Sequence, residues 1–207
     1  MRDEVIKLDL LAMEVADCRL CEAQGLALEH LPAVHRGGRA RLLVLGVQPD
    51  KAEIGHGRLL AGRGGERLLA WLVAAGVGRN PDDALIHSYV TTLCKCHVPG
   101  GRGLRRAIQN CAGFLQREIE VVRPEVCMTL GREPLVEVFR YVGPLEAAVG
   151  RAWREDELGL TLFPVLPEDC LVVPFPKPHG VAQWLRRPGR QARLDRALET
   201  LRRALPS

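Results

Sequence analysis

Four short apolar runs punctuate the chain: RLLVLGV (41–47), LIHSYVTTL (85–93), EVCMTLG (125–131) and CLVVPFP (170–176). Continuous apolar runs of this length, bounded by Gly, Pro and charged residues, read as strands buried on both faces. The intervening segments change to a helical period. GERLLAWLVAAGV repeats Leu, Trp and Ala at helical spacing, and RRAIQNCAGFLQREIEVV places Ile108, Phe114, Leu115, Ile119 and Val122 on one stripe. REPLVEVFRYV is a shorter helix with Pro134 in its first turn, and RQARLDRALETLRRAL is a basic amphipathic helix. Strands alternating with helices predict an α/β fold, a three-layer α/β/α sandwich around a central, mostly parallel four-stranded sheet. The 207 residues contain no internal repeat, low-complexity stretch or linker, so one domain over 1–207 is expected, large enough for a sizeable core.

In such sheets ligands sit beyond the carboxyl ends of the strands. The informative loops are therefore GVQPDKAEIGHGRLLAGRGGE, TTLCKCHVPGGRG and PFPKPHGVAQW, which follow the first, second and fourth strands. No run of 18 or more apolar residues occurs, and the first residues, MRDEVIKLDLLAMEVADC, are acidic and amphipathic. The expectation is a cytoplasmic monomer with no membrane partner. The net charge is only +4, but arginines cluster in RGGRARL, GRGGER, GGRGLRR and WLRRPGRQARLDR. Such clusters suit a phosphate-rich partner, and they equally suit solvated helix faces, so charge alone does not decide.

Seven cysteines in a reducing compartment point to a metal site plus buried thiols rather than to disulfides. Cys18 and Cys21 form a C-x-x-C turn that can bring two thiolates to one metal. Cys94 and Cys96 have one residue between them, unlike a second C-x-x-C pair, and the two side chains are expected on opposite sides of the chain. One should ligate while the other faces the core. Cys96 begins the loop and Cys111 lies in the following helix, so Cys18, Cys21, Cys96 and Cys111 would tie the N-terminal segment to the strand end. Cys94, Cys127 and Cys170 lie within strand-like runs and read as small hydrophobes.

These features together resemble the family 4 uracil-DNA glycosylases: C-x-x-C near the start, a strand ending in KC, a Pro/Gly/Arg loop, and a cysteine in the next helix. The resemblance implies a 4Fe-4S cluster on Cys18, Cys21, Cys96 and Cys111. It extends over most of the chain. GVQPDKAEIGHGRLLAG is laid out from Gly46 to Gly62 like the family's Gly-Glu-Ala-Pro-Gly motif and its following Gly-x-Pro-Phe-Val-Gly segment. YVTTLCKC matches Tyr-Ile-Thr-Asn-Val-Val-Lys-Cys, RPEVCMTLGREP matches Pro-x-Val-Ile-x-x-Leu-Gly, and PKPHGVAQWL is similar to the superfamily's His-Pro-Ser-Gly motif with its trailing Trp-Leu.

The resemblance implies an enzyme that flips a nucleotide out of DNA and hydrolyses the bond between base and sugar. The parts that recognise uracil depart from it. Leu60 stands where the family stacks a phenylalanine on the base, Thr92 where an asparagine amide reads uracil, Val47 where the first motif has glutamate, Lys177 where it has histidine, and His179 at a serine position. Polar groups nevertheless remain in all three loops. Gln48, Asp50, Glu53, Lys177 and His179 are the candidate catalytic residues, with Val47, His56, Leu60 and Thr92 as the substrate pocket. Glu53 either positions water or pairs with an arginine, Asp50 either acts or caps a helix, and Lys177 can stabilise a developing anion. Arg102, Arg105 and Arg106 are the candidate DNA-backbone contacts.

Loss of the aromatic wall and of the longer amide enlarges the pocket near the base's exocyclic edge. A bulky modified cytosine, such as the glucosylated hydroxymethylcytosine of some phage genomes, suits that change, and related superfamily members act in antiviral defence. A conventional uracil enzyme of base-excision repair, a catalytically silent DNA-binding protein and a zinc-stabilised structural module are the competing readings. Trp184 reads as a packing residue, and His30, His35, His87 and His97 carry no separable signal.

Overall fold

The computed structural model describes residues 2–30, 40–154 and 166–205. His35, and Arg36 and Arg39 of the first basic cluster, lie outside the described residues. In chain order the elements are α1 (Arg2–Asp17), α2 (Leu20–Ala23), β1 (Glu29–His30), β2 (Leu42–Gly46), α3 (Lys51–His56), α4 (Gly62–Ala74), α5 (Pro81–Ile86), β3 (Ser88–Thr92) and β4 (Cys96–His97). There follow α6 (Leu104–Val122), β5 (Val126–Leu130), α7 (Glu133–Phe139), α8 (Leu145–Ala148), β6 (Trp153–Arg154), β7 (Leu171–Phe175), α9 (Val181–Leu185) and α10 (Arg190–Ala204).

The main sheet has the order β3-β2-β5-β7-β6, and its first four strands are parallel. These are the four apolar runs, each trimmed by one to three residues at its ends. The expected four-stranded sheet has a fifth member: β6 pairs antiparallel with β7 through Trp153↔Val172 and Arg154↔Leu171. Two residues carry too little alternation to be recognised in a sequence. A second, two-stranded sheet pairs β1 with β4, Glu29 opposite His97 and His30 opposite Cys96.

Alternating side chains of the central strand serve both faces. Leu43 and Leu45 join Leu115, Ile119 and Val122 of α6 and Leu135 and Val138 of α7, whereas Leu42 and Val44 join Leu68 and Leu72 of α4 and Leu194 and Leu201 of α10. Burial of each such side chain contributes about 1.5–3 kcal/mol, which is why the central strand is apolar at every position rather than at every second one. The result is the expected three-layer α/β/α arrangement. β2 lies between β3, which follows it in sequence, and β5, so the chain reverses direction of winding there, and the crevice opens at the ends of β2 and β5. Among the described residues no helix is long and apolar enough to cross a membrane.

Candidate active site

A cavity of about 620 Å³ lies at the carboxyl ends of the parallel strands. Val47, Gln48, Asp50, Glu53 and Leu60 enter it from the loop after β2, Thr92 from the end of β3, and Lys177 and His179 from the segment after β7. Three distant loops singled out by motif thus meet at one place. His56 does not line the cavity. It ends α3 with its ring Nδ1 2.7 Å from the Ala52 carbonyl oxygen, exposed to solvent.

The first loop is shaped by a capping box. The Asp50 carboxylate accepts the Glu53 N–H at 2.9 Å, and the Glu53 carboxylate accepts the Asp50 N–H at 2.7 Å, which starts α3. The other oxygen of Glu53 accepts the Leu60 N–H at 2.7 Å. Leu60 has φ of 60°, the left-handed region that costs a non-glycine residue on the order of 1–2 kcal/mol. Glu53 therefore fixes the residue that forms the pocket wall. Burial raises its carboxyl above the usual range, against the two backbone donors. Gly65 closes the other side: a Cβ there would lie 1.9 Å from the Leu60 carbonyl oxygen, so only glycine permits this approach. Asp50 uses Oδ1 for the cap, and its Oδ2 faces Gly64, which also adjoins His179.

The second wall is a set of hydrogen bonds whose protons are already committed. Thr92 Oγ1 donates to the Cys94 carbonyl at 2.8 Å. His97, unmarked by sequence reasoning, is buried and lines the cavity, with Nδ1 2.8 Å from the Pro49 carbonyl oxygen. A carbonyl only accepts, so the Nδ1 proton is fixed there. Gln48 lies beside the ring, its Nε2 3.4 Å from Nδ1, while its Oε1 accepts the Val98 N–H at 3.1 Å. The signal for His97 was available: in extended chain it faces opposite Cys96.

At the third side Lys177 Nζ donates to Glu133 Oε1 at 2.7 Å, both side chains being half exposed. Glu133, also missed, opens α7 and lines the cavity. Gly131, with φ of 90°, lets the Lys177 stem lie across the strand end, since a Cβ there would come within 2.7 Å of it. Arg67 donates to the Pro178 carbonyl at 3.1 Å and holds the same segment. The three candidate backbone arginines stand outside the cavity: Arg105 is 3.6 Å from Glu137, Arg106 donates to Gln24 Oε1 at 3.2 Å, and Arg102 is exposed. Trp184 packs on the α4–α10 side of the core under Arg190, whose guanidinium stands 5.0 Å from its ring centre.

Cys18, Cys21, Cys96 and Cys111 line a second, closed chamber with about 10 Å³ of free space. Burial, and then the neighbouring Cys111, Cys21 and Cys18 sulfurs, push the Cys96 thiol up to about 12, and burial likewise raises Cys21. Cys111 is lowered to about 7, first by a hydrogen bond from Cys94 and also by the Lys95 N–H. Cys94 itself is fully buried and outside the chamber; extended chain would put it on the same face as Cys96, and the bend at 93–95 is what separates the two. Asn110 Nδ2 donates to Cys21 Sγ at 3.3 Å. Four thiolates brought together out of water need a positive partner, and an all-sulfur donor set suits an iron–sulfur cluster or zinc. Among the described residues no three histidine, cysteine or acidic side chains are gathered tightly enough to hold a metal ion. The all-sulfur donor set of Cys18, Cys21, Cys96 and Cys111 fits a 4Fe-4S cluster in its chemistry.

Cavity and chamber share a buried ion pair. Lys95 Nζ donates to Glu118 Oε2 and Thr91 Oγ1, both at 2.6 Å, and to the Thr92 carbonyl at 2.9 Å. Both charged side chains are almost fully inaccessible, at 2% and 0% exposure.

The family model described as Uracil DNA glycosylase superfamily matches residues 34–202. The chain is 28% identical over 145 residues to the type-4 uracil-DNA glycosylase of Saccharolobus solfataricus, covering 70% of this chain and 64% of that one. It is 29% identical over 126 residues to the type-4 enzyme of Archaeoglobus fulgidus, covering 60% of each. With the type-5 uracil-DNA glycosylase of Pyrobaculum aerophilum it shares 30% identity over 119 residues, 53% of this chain and 52% of the relative. The chain thus spans less than two thirds of each of these three relatives.

Proposed function

The chain belongs to the uracil-DNA glycosylase superfamily, and from that premise we propose that it is a DNA glycosylase whose substrate is a cytosine enlarged at its 5-position, of the kind found as glucosylated hydroxymethylcytosine in some phage genomes. The observation that carries the reading is the cavity of about 620 Å³, bounded by Leu60 instead of a flat aromatic ring. Sites of about 300–1,000 Å³ accommodate drug-sized ligands, more than a bare pyrimidine fills.

Lys51 and Arg63 at the cavity, with Arg102 nearby on the approach to α6, suit the phosphates of a DNA strand from which one nucleotide is turned out. The base enters between Leu60 and the strand ends. As the bond between C1′ of the sugar and the base nitrogen breaks, its electron pair leaves with the base. Lys177 Nζ, oriented by Glu133, is the cation that stabilises this charge. A water oxygen bonds to C1′ and yields a proton to Asp50 Oδ2, the carboxylate oxygen left free by the helix cap. Glu53 acts through Leu60 as a positioning residue. Cys18, Cys21, Cys96 and Cys111 would hold a 4Fe-4S cluster that braces the N-terminal segment against the loop after β3.

The test is single-turnover base release from DNAs carrying uracil, cytosine, hydroxymethylcytosine or its glucosylated form. Fastest release of a 5-substituted cytosine supports the proposal. Fastest release of uracil favours the second reading, which the relatives' names support: a conventional uracil-DNA glycosylase. Binding without release of any base favours a silent DNA-binding protein.

A further inference from the structure

We infer that His97 and Thr92 together select a base that presents an exocyclic amino group, and reject its oxo counterpart. This assignment deepens the proposed glycosylase reading and rests on it for the identity of the ligand as a flipped base. Hydrogen bonds already made within the fold decide which donors and acceptors three side chains on the cavity wall have left. Thr92, at the cavity, spends its only hydroxyl proton on the Cys94 carbonyl, so in any further bond its oxygen can only accept. His97 spends its Nδ1 proton on the Pro49 carbonyl. In the neutral ring Nε2 is then a lone pair, and among the described residues it has no hydrogen-bond partner. It is also absent from the buried side-chain atoms left unpaired, so it is open to the cavity or solvent. Gln48 has the opposite polarity: Oε1 is taken by the Val98 N–H, which leaves its amide N–H groups as free donors.

The backbone places these groups side by side. Gly46 pairs with Thr92 in register, and beyond them Leu93 N–H donates to the Gly46 carbonyl and Cys94 N–H to the Val47 carbonyl, at 3.0 and 2.9 Å. The pairing thus carries Thr92, Gln48 and His97 to one wall. Two acceptors and one donor at the same cavity match the edge of cytosine, whose N4 amino group donates and whose ring N3 accepts. Uracil inverts both. Its O4 would face lone pairs on Thr92 and His97, and its N3–H would face the Gln48 amide hydrogens. A site built this way discriminates by leaving the wrong partner's buried polar groups unpaired. His97 is a specificity residue in this account; its role depends on which nitrogen carries the proton, fixed by the Pro49 carbonyl.

The decisive measurement is equilibrium binding of single-stranded DNA with one 2′-fluoroarabino nucleotide bearing either 5-hydroxymethylcytosine or 5-hydroxymethyluracil. The two bases share the 5-substituent and differ at the edge being read. Single strands remove any difference in base pairing, and the fluorine retards base loss so that binding is read apart from chemistry. The wild type is expected to bind the amino base about tenfold more tightly or better. Thr92→Val and His97→Phe should each bring the ratio to within about threefold of unity, while Thr92→Ser, which keeps the hydroxyl, should preserve it. Equal binding by the wild type, or preference for the oxo base, overturns the assignment without any variant needing to fold. Discrimination in binding with no base release from ordinary deoxynucleotides upholds the assignment and overturns the glycosylase reading. Release of both bases without discrimination does the reverse.

Discussion

The strand-end cavity and the cysteine chamber lie on either side of one short segment, residues 91–97, and are built in opposite ways. The cavity is wide, about 620 Å³, and its polar groups are pinned by the fold so that one atom of each is left for a ligand. The chamber has only about 10 Å³ of free space, and four cysteines line it. The bend at 93–95 between β3 and β4 feeds both by breaking the strand's alternation: Thr92 and His97 line the cavity, Cys96 lines the chamber, and Lys95 reaches Glu118 beneath them. Geometry in one region is thereby tied to geometry in the other. A wide site can be specific when its hydrogen-bond polarity is fixed from behind, as the Cys94 and Pro49 carbonyls fix it here, and the buried Lys95–Glu118 pair holds the Thr91–Thr92 strand end beside them.

Breaking that pair should have the largest effect. Glu118→Ala leaves Lys95 charged in the interior with only Thr91 Oγ1 and the Thr92 carbonyl as partners, and should cost about 3–5 kcal/mol, read by thermal or urea unfolding. Lys95→Met with Glu118→Leu should recover most of the loss, because apolar residues replace both charges. If the single variant is as stable as wild type, the two regions are not coupled through this pair.

The cysteines come next. Protein purified without oxygen should contain iron and sulfide in equal amounts, and Cys96→Ala or Cys111→Ala should abolish the iron and loosen the N-terminal helices, visible as faster proteolysis there. Cys94→Ala should keep the iron and cost about 1 kcal/mol. Stoichiometric zinc in place of iron would reject the cluster.

Gly65→Ala acts on the cavity alone. Its new methyl group would overlap the Leu60 carbonyl, so about 3 kcal/mol is expected, the upper end for overpacking, together with a displaced pocket wall. Chamber iron should be unchanged.

The smallest effect is a pH dependence at Glu53. Burial raises its folded-state pKa, so its contribution is fully present below the unfolded value, about 4.3, and is lost as pH rises through the folded value. The stability difference between wild type and Glu53→Gln should therefore shrink as pH climbs from about 4.3 through the folded value and level off above it, as measured by melting temperature. A difference that grows with pH would contradict the assignment.

The two regions also differ in how far they could be read from sequence. C-x-x-C spacing marked Cys18 and Cys21, and the loop start and following helix added Cys96 and Cys111, whereas the separation of Cys94 from Cys96 comes from the bend at 93–95, which strand periodicity does not supply. The four long strands were legible because each is buried on both faces. β1, β4 and β6 are two residues each and carry no period. The capping box Asp50-x-x-Glu53 was a visible signal for α3, and read as such it would have shown that Glu53 is committed to the backbone. Glu118 lies on the buried stripe of α6 with Cys111, Leu115 and Val122, and a charge on such a stripe demands a partner, although only the fold reveals that it is Lys95. His56 was misplaced because a Gly-His-Gly loop resembles a flexible contact, whereas the chain turns helical and carries the ring away from the cavity.

The claim that Leu60 and Thr92 widen the site for a substituted cytosine is tested most directly by reversing both. In Leu60→Phe/Thr92→Asn the aromatic wall and the longer amide return, and the ratio of single-turnover release rates, uracil over glucosylated hydroxymethylcytosine, is compared with that of the wild type. The account predicts that the wild type favours the bulky base and that the ratio rises by at least about tenfold in the double variant, because the larger side chains collide with the sugar-bearing substituent. Efficient uracil release by the wild type, with a ratio unchanged by the double substitution, would contradict it.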